Sequence, residues 1–206
     1  MNAPIRRLPS LTSNDPVLER AVAYAALRLR TYGGPFLDDT IASERARNLV
    51  AALADGEEDP EEMGEAVLVA EMGEAVWTTG PLARILGRDV ERILRATRLG
   101  WDDLALSSLA TGHTVTVELM AVSPRAAKAI AASRHPGLRI DAARGVPSAE
   151  ELRPGVWRVR LRADVSRLVT NEERRAAGDD EPVTCSTWGC GGDVVDAGLC
   201  GRCRAR

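Results

Sequence analysis

Aromatic residues are scarce in this chain, and no stretch is apolar enough to span a membrane. Phenylalanine, tryptophan and tyrosine make up 3% of the 206 residues, so the core must consist mainly of alanine, leucine, valine and isoleucine. Such a core favours closely packed helices over a β-sandwich. No stretch approaches the roughly 20 apolar residues of a membrane helix, and the first thirty residues lack the apolar run of a signal peptide. We therefore expect a cytoplasmic protein with no membrane partner.

Lysine is also nearly absent, because Lys128 is the only lysine among the 27 basic residues. Together with abundant alanine, glycine and aspartate, this bias is typical of a GC-rich genome, such as that of an actinobacterium or a phage. Arginine abundance alone is therefore weak evidence for a nucleic-acid partner. The distribution of charge is more informative than the sum.

Charges of opposite sign are segregated along the chain. Residues 55–74 contain nine acids and no base. Two segments are basic: residues 81–101 contain five arginines and two acids, and residues 123–162 contain nine bases and three acids. A nucleic acid would be attracted to the basic segments only. The acidic segment could bind a protein partner, pair internally with the basic segments, or form a solvated helix face.

Cysteine is absent before residue 185. The spacing is Cys-x4-Cys, nine residues, then Cys-x2-Cys, which lets two tight turns present two sulfurs each. Because cytosolic thiols stay reduced, such a cluster more often binds metal than forms disulfides. Four thiolates suit tetrahedral Zn²⁺, and a redox pair or disulfides are the alternatives. The predicted ligands are Cys185, Cys190, Cys200 and Cys203.

The cysteine-containing stretch "CSTWGC…DAGLCGRC" resembles the zinc-ribbon-like and treble-clef-like modules of many bacterial and phage nucleic-acid proteins. The resemblance covers about the last two dozen residues, and we assign residues 184–206 to this module. A closed site of four thiolates leaves no position for water, so the resemblance implies a structural zinc ion and not a catalytic one.

The segment "PLARILGRDVERILRATRLGW" predicts a short helix over 81–86, a break at Gly87 and a longer helix over 89–99. Ala83, Gly87 and Ile93 have the spacing of a small crossing residue, a turn glycine and a shared core residue. The segment resembles bacterial and phage helix-turn-helix regulators, including repressors and the MerR-like and excisionase-like groups. The resemblance implies that the second helix enters the major groove of DNA. Its outward face would carry Arg88, Arg92 and Arg95. An ordinary helical hairpin with a solvated arginine face is the alternative.

Beyond residue 110 the pattern changes to period two. The stretches "HTVTVELMAV" and "LRIDAA" predict strands on either side of the helix "SPRAAKAIAASRHPG", as in a short βαβ unit. The strand "VWRVRLRA" alternates apolar residues with three arginines. These arginines could form a second row of phosphate contacts or protect an edge strand from pairing. They are Arg158, Arg160 and Arg162.

The predicted architecture is α+β and mostly helical. We expect a helical domain over 1–110 that includes the helix-turn-helix at 81–99, and a small α/β segment over 111–178. Start signals and apolar stripes predict the first helices of the helical domain, and Asp59 and Pro60 mark the start of the third. One stripe is Leu18, Val22, Ala25 and Leu29, and the next is Ala42, Ala46, Leu49 and Leu53.

Catalytic motifs are not found in the sequence. His113 and His135 are the only histidines, and each is interpreted as a polar surface residue. The chain has no phosphate-binding loop and no nucleophile motif, so we do not expect an enzyme. The sequence favours a DNA-binding regulator of transcription or of a mobile element. The rival interpretation is a protein-interaction adaptor or inhibitor that docks through its acidic helix and zinc module.

Overall fold

A computed structural model describes residues 15–33, 39–56, 58–68, 80–143 and 145–169. The described part is mixed and mainly helical, with one small antiparallel sheet, as an α+β prediction requires. The chain divides into two compact units, Met1–Ala163 and Asp164–Arg206. All helices and strands described below belong to the first unit. In the second unit the structure describes a 3-10 turn at Val165–Arg167.

Six α-helices occur in the described residues, and side chains cap the start of the first and of the last. The Asp15 carboxylate accepts a hydrogen bond from the amide of Val17 at 2.8 Å, and the Ser123 hydroxyl accepts one from Ala126 at 3.2 Å. None of these helices is long and apolar enough to cross a bilayer. The helices are α1 (Pro16–Gly33), α2 (Asp39–Leu53), α3 (Pro60–Leu68), α4 (Gly80–Arg98), α5 (Asp103–Thr111) and α6 (Pro124–Arg134).

The first four helices share one aliphatic core. Both predicted stripes face it: all their members are buried except Leu18, which is partly buried against the same core. Leu86, Val90 and Leu94 of α4 enter this core as well. The buried members of the core are alanine, valine and leucine only, which confirms the interpretation of the low aromatic content.

The predicted helix break at Gly87 is wrong, because α4 runs without interruption from Gly80 to Arg98. Gly87 instead lies where α3 crosses α4, and a Cβ there would meet the carbonyl oxygen of Pro60 at 1.9 Å. Its missing side chain therefore permits close helix packing and does not serve a turn. The predicted helix-turn-helix at 81–99 is thus one continuous helix.

The sheet is organised around its last strand. Its strands are β1 (Val115–Met120), β2 (Leu138–Ile140), β3 (Ala149–Arg153) and β4 (Val156–Ala163). β4 pairs antiparallel with β1 on one side and with β2 and β3 on the other. β1 and β2 are therefore parallel to each other, so the predicted βαβ unit is split by β4. Since β4 is central, its arginines do not protect an edge strand.

The two faces of the sheet differ in chemistry. Leu119, Val159 and Leu161 are buried, and α5 and α6 pack against the sheet. The alternate residues of β4 are its three arginines, as predicted, and they occupy the opposite face. An antiparallel sheet with one covered and one solvated face shows this alternation. The solvated face is called the arginine face below.

Candidate nucleic-acid interface

The three predicted DNA-contacting arginines of α4 are each bound to a carboxylate. Because every guanidinium has an acidic neighbour within 4 Å, the outer stripe of α4 is close to charge-balanced. Arg84, one turn earlier, likewise binds Glu65 at 2.7 Å. The acidic segment thus pairs internally with a basic one. The three pairs are Arg88–Glu61 at 3.3 Å, Arg92–Asp89 at 3.4 Å and Arg95–Glu91 at 2.6 Å.

Asp89 also fixes α4 to its neighbours from the inside. Its carboxylate accepts from the guanidinium of Arg28 on α1 at 2.5 Å, and the two side chains are 13% and 11% exposed. Arg28 further donates to the carbonyl of Ala110 at 3.2 Å and lies 4.0 Å from the ring centroid of Tyr32. Removing one member of a charged pair this deeply buried would leave an uncompensated charge in the interior and destabilise the fold. Arg28 therefore joins α4 to α1 and α5.

The arginines of β4 lie side by side on the open arginine face. Arg158 donates to the Glu118 carboxylate at 2.8 Å, and Arg160 lies 3.3 Å from the Asp141 carboxylate. Arg162 is exposed and makes no side-chain hydrogen bond or salt bridge within the described ranges. The structure therefore brings together this predicted set, and only its last member has its guanidinium available.

Asp141 is the carboxylate that partly balances this face. Its oxygen accepts from the Thr114 hydroxyl at 2.6 Å. That hydrogen bond holds the pKa of the Asp141 carboxyl below its usual range, and the positive charges of Arg160 and Arg162 act in the same direction while desolvation opposes them. Asp141 stays ionised at neutral pH, and it fixes the guanidinium of Arg160 in place.

Arg139 belongs to the same face and was not predicted as a site residue. It lies on β2 directly opposite Arg162 on β4, and it is exposed. Where the structure describes its surroundings, Arg139 makes no side-chain hydrogen bond or salt bridge. Like charges directly opposite on paired strands repel. The alternation in "LRI" places Arg139 on the solvent-facing side of its strand. Its position opposite Arg162 depends on the pairing of two strands that are distant in sequence.

A shallow, open cleft of about 450 Å³ covers part of the arginine face. Its walls combine guanidinium and hydroxyl donors with a small apolar edge. None of its lining residues is aromatic, so the cleft lacks the rings on which unpaired bases stack. The lining consists of Thr114 and Thr116, Arg158 and Arg160, Val146 and Pro147, and Glu150.

His135 has a structural partner that the sequence does not suggest. Its Nδ1 lies 2.6 Å from the Asp102 carboxylate, and the same carboxylate caps α5 by accepting from the amide of Ala105 at 2.8 Å. The imidazole is 23% exposed. We therefore correct its interpretation as a surface residue: it helps to hold the start of α5.

Tyr24 and Arg20 anchor α5 from the other side. The Tyr24 hydroxyl donates to the Asp103 carboxylate at 3.0 Å, and Arg20 forms a salt bridge to it at 2.7 Å. Desolvation, followed by the hydrogen bond to Asp103, raises the pKa of Tyr24 to about 12. The hydrogen bond from Arg20, followed by that from Tyr24, lowers the pKa of Asp103. These groups join α1 to α5 and stabilise their packing.

The four predicted zinc ligands, Cys185, Cys190, Cys200 and Cys203, lie outside the described residues. Within the described ranges, no group of three or more histidine, cysteine, aspartate or glutamate side chains is placed to hold a metal ion. Comparisons with protein-family models, with curated proteins and with solved structures found no match. The functional interpretation therefore rests on the residues of this chain.

Proposed function

We propose that the chain is a DNA-binding protein, a regulator of transcription or of a mobile element, with a structural zinc ion held by its four cysteines. Its DNA contact surface is the arginine face of the sheet and not α4. The observation that carries this proposal is that Arg162 and Arg139 lie exposed on the arginine face, where no described carboxylate is hydrogen-bonded to either side chain. The cysteine spacing, similar to modules of nucleic-acid proteins, supports the same class of partner.

The unpaired state of Arg162 and Arg139 in the described residues favours the sheet over the helix. Binding to DNA gains free energy when a protein cation replaces condensed counterions on phosphate. An arginine already bound to a carboxylate must give up that pair first, which reduces the gain. All three predicted DNA-binding arginines of α4 are in this situation, whereas Arg162 is not.

The chemistry of the arginine face favours the phosphate backbone over the bases. Guanidinium groups bind phosphate with two parallel hydrogen bonds, and threonine hydroxyls add neutral donors. Since the cleft offers no aromatic ring, stacking with single-stranded bases has no platform. We therefore expect duplex DNA to be bound with weak sequence preference through this face.

Fluorescence anisotropy with a labelled duplex tests the proposal on the full chain. The wild type is compared with the triple variant Arg158→Ala, Arg160→Ala, Arg162→Ala over a range of salt concentrations. We expect affinity to fall steeply with salt, and the triple variant to reduce the slope by about 1 for each phosphate that is no longer neutralised. Circular dichroism of both proteins checks that they are folded.

A matched control is the triple variant Arg88→Ala, Arg92→Ala, Arg95→Ala on α4, which removes the same charge. We expect it to retain the salt slope of the wild type. The proposal fails if the wild type does not bind duplex DNA at low salt, or if the sheet variant binds as tightly as the wild type. Loss of binding in the α4 variant alone would return the interface to that helix.

A protein-interaction adaptor is the second candidate, and it is favoured by a different surface. Met120 and Val122, at the end of β1, are 79% and 97% exposed, and exposed apolar side chains grouped together often mark protein contacts. The acidic α3 supports it less, because Glu61 and Glu65 are bound to arginines of α4. A stoichiometric protein partner that remains after nuclease treatment would favour the adaptor.

A further inference from the structure

We infer that Arg139 and Arg162 together form a binding site for one phosphate group, and that this pair is the strongest contact point on the arginine face. The inference rests on the proposed function, since the phosphate is taken to be one of the nucleic-acid backbone. It adds a residue, Arg139, that neither the sequence motif nor the row of arginines on β4 includes.

The register of the sheet places the two arginines opposite each other. Arg139 on β2 is the direct cross-strand partner of Arg162 on β4, and directly opposed Cβ atoms lie about 5 Å apart. Both side chains are exposed on the same face. Two arginine side chains that start this close on one face can turn their planar guanidinium forks toward the oxygens of a single phosphate.

The neighbouring acid does not already fill this site. The positive charge of Arg162 helps to lower the pKa of the Asp141 carboxyl, so this carboxylate lies near the pair. Its oxygen Oδ2 is engaged by the Thr114 hydroxyl at 2.6 Å and by Arg160 at 3.3 Å. Asp141 thus reduces the positive potential of the pair, but it leaves the guanidinium donors of Arg139 and Arg162 unoccupied.

Repulsion within the pair gives the site a measurable signature. Two like charges opposite one another destabilise the folded sheet, and a bound phosphate removes this cost. A ligand that binds only the folded state raises its stability. Neutralising either arginine therefore has two opposite effects: it relieves the repulsion without phosphate, and it reduces the stabilisation by phosphate.

The experiment measures thermal unfolding and duplex binding on four full-length proteins: the wild type, Arg139→Gln, Arg162→Gln and the control Arg125→Gln. Arg125 is an exposed arginine on α6 and carries the same charge change. Unfolding is followed in sodium phosphate and in sodium chloride at equal ionic strength. We expect phosphate to raise the unfolding midpoint of the wild type and the control, and to raise it less in the other two variants. In chloride, Arg139→Gln and Arg162→Gln should be at least as stable as the wild type.

Duplex binding separates this inference from the proposed function. We expect Arg139→Gln and Arg162→Gln each to lower the salt slope by about 1, and Arg125→Gln to leave it unchanged. If DNA binding persists at the wild-type level in both variants, the phosphate site is refuted while the proposed function stands. If the wild type binds no DNA but its phosphate stabilisation depends on both arginines, the site stands and the function is refuted. Equal phosphate shifts in all four proteins would overturn the site.

Discussion

The backbones of Gly64 and Gly87 touch where α3 crosses α4: a Cβ added to Gly64 would lie 2.9 Å from the Cα of Gly87 and 2.2 Å from the carbonyl oxygen of Ala83. Neither position has room for a methyl group. The two helices therefore pack at a distance that only glycine allows on both sides of the contact.

Replacing Gly87 with alanine should destabilise the fold. The new methyl group would collide with the Pro60 carbonyl, and overpacking of this kind costs about 1–3 kcal/mol. Because the collision is with a backbone atom at 1.9 Å, we expect a cost in the upper part of this range, above the gain of about 1 kcal/mol in helix propensity. Urea unfolding gives the free energy directly. In the control Gly80→Ala, the nearest atom is Glu65 Oε1 at 3.0 Å, at the end of a flexible side chain. If Gly87→Ala were as stable as the control, the close crossing would be wrong.

Breaking the Arg28–Asp89 pair should be among the costliest polar substitutions in the chain. Asp89→Asn leaves a guanidinium that is 11% exposed without its charged partner, and losing one member of a buried pair costs about 3–5 kcal/mol. The double variant Arg28→Met, Asp89→Leu should cost less than the sum of its single changes. Urea unfolding of each variant gives the cost of each change, and a double-mutant cycle gives the coupling energy between Arg28 and Asp89.

A half-exposed pair provides the comparison for this cycle. Arg47 and Glu19 lie 3.3 Å apart with side chains 50% and 51% exposed, and exposed pairs contribute about 0–1 kcal/mol. Arg47→Gln should therefore change the free energy of unfolding little. Equal costs for Arg47→Gln and Asp89→Asn would show that Arg28 and Asp89 are solvated in solution.

The Thr114–Asp141 contact should make stability fall in acid. Because folding lowers the pKa of Asp141, the folded state favours the ionised carboxylate. This contribution to stability is fully present at a pH above 3.8, the pKa of the carboxyl in the unfolded chain. It is lost as the pH falls through the lower pKa of the folded state. Thr114→Val removes the largest cause of the shift. Urea midpoints at neutral pH and below pH 3.8 should differ less in Thr114→Val than in the wild type. An unchanged pH dependence would remove Asp141 from this role.

Purified protein should contain one zinc ion per chain, since four thiolates form a closed tetrahedral site. Cys200→Ser should lower the metal content sharply, because a serine hydroxyl replaces a thiolate ligand. Metal analysis by mass spectrometry, with thiol titration before and after chelation, measures both. Four oxidised cysteines without metal would contradict the proposed site. Ser186→Ala, a change inside the first cysteine pair that removes no sulfur, is the matched control.

Helices and strands with strong local signals in their sequence are predicted. Capping residues and apolar stripes predict α1, α2, α3 and α6, and alternation predicts β4 with the bounds that the structure has. Two short elements, α5 and β3, are not predicted. The β3 sequence "AEELR" is charged and does not alternate, so its strand conformation comes from pairing with β4.

The candidate site depends on contacts that join distant parts of the chain. A glycine inside a helical pattern fits either a turn or a close crossing, and only the position of α3 decides that Gly87 serves the crossing. The acids that bind the α4 arginines come partly from another helix. The opposition of Arg139 and Arg162 joins two strands across a sheet register that no local pattern encodes.

The central position of β4 has a consequence for biosynthesis. β1, β2 and β3 all hydrogen-bond to β4, and β4 is the last of the four to leave the ribosome. While the chain grows, α1 to α4 can already bury their shared aliphatic side chains, but the three earlier strands cannot form this sheet until β4 emerges. The surface proposed to hold DNA therefore comes into being late in translation, after the helical part has had time to fold.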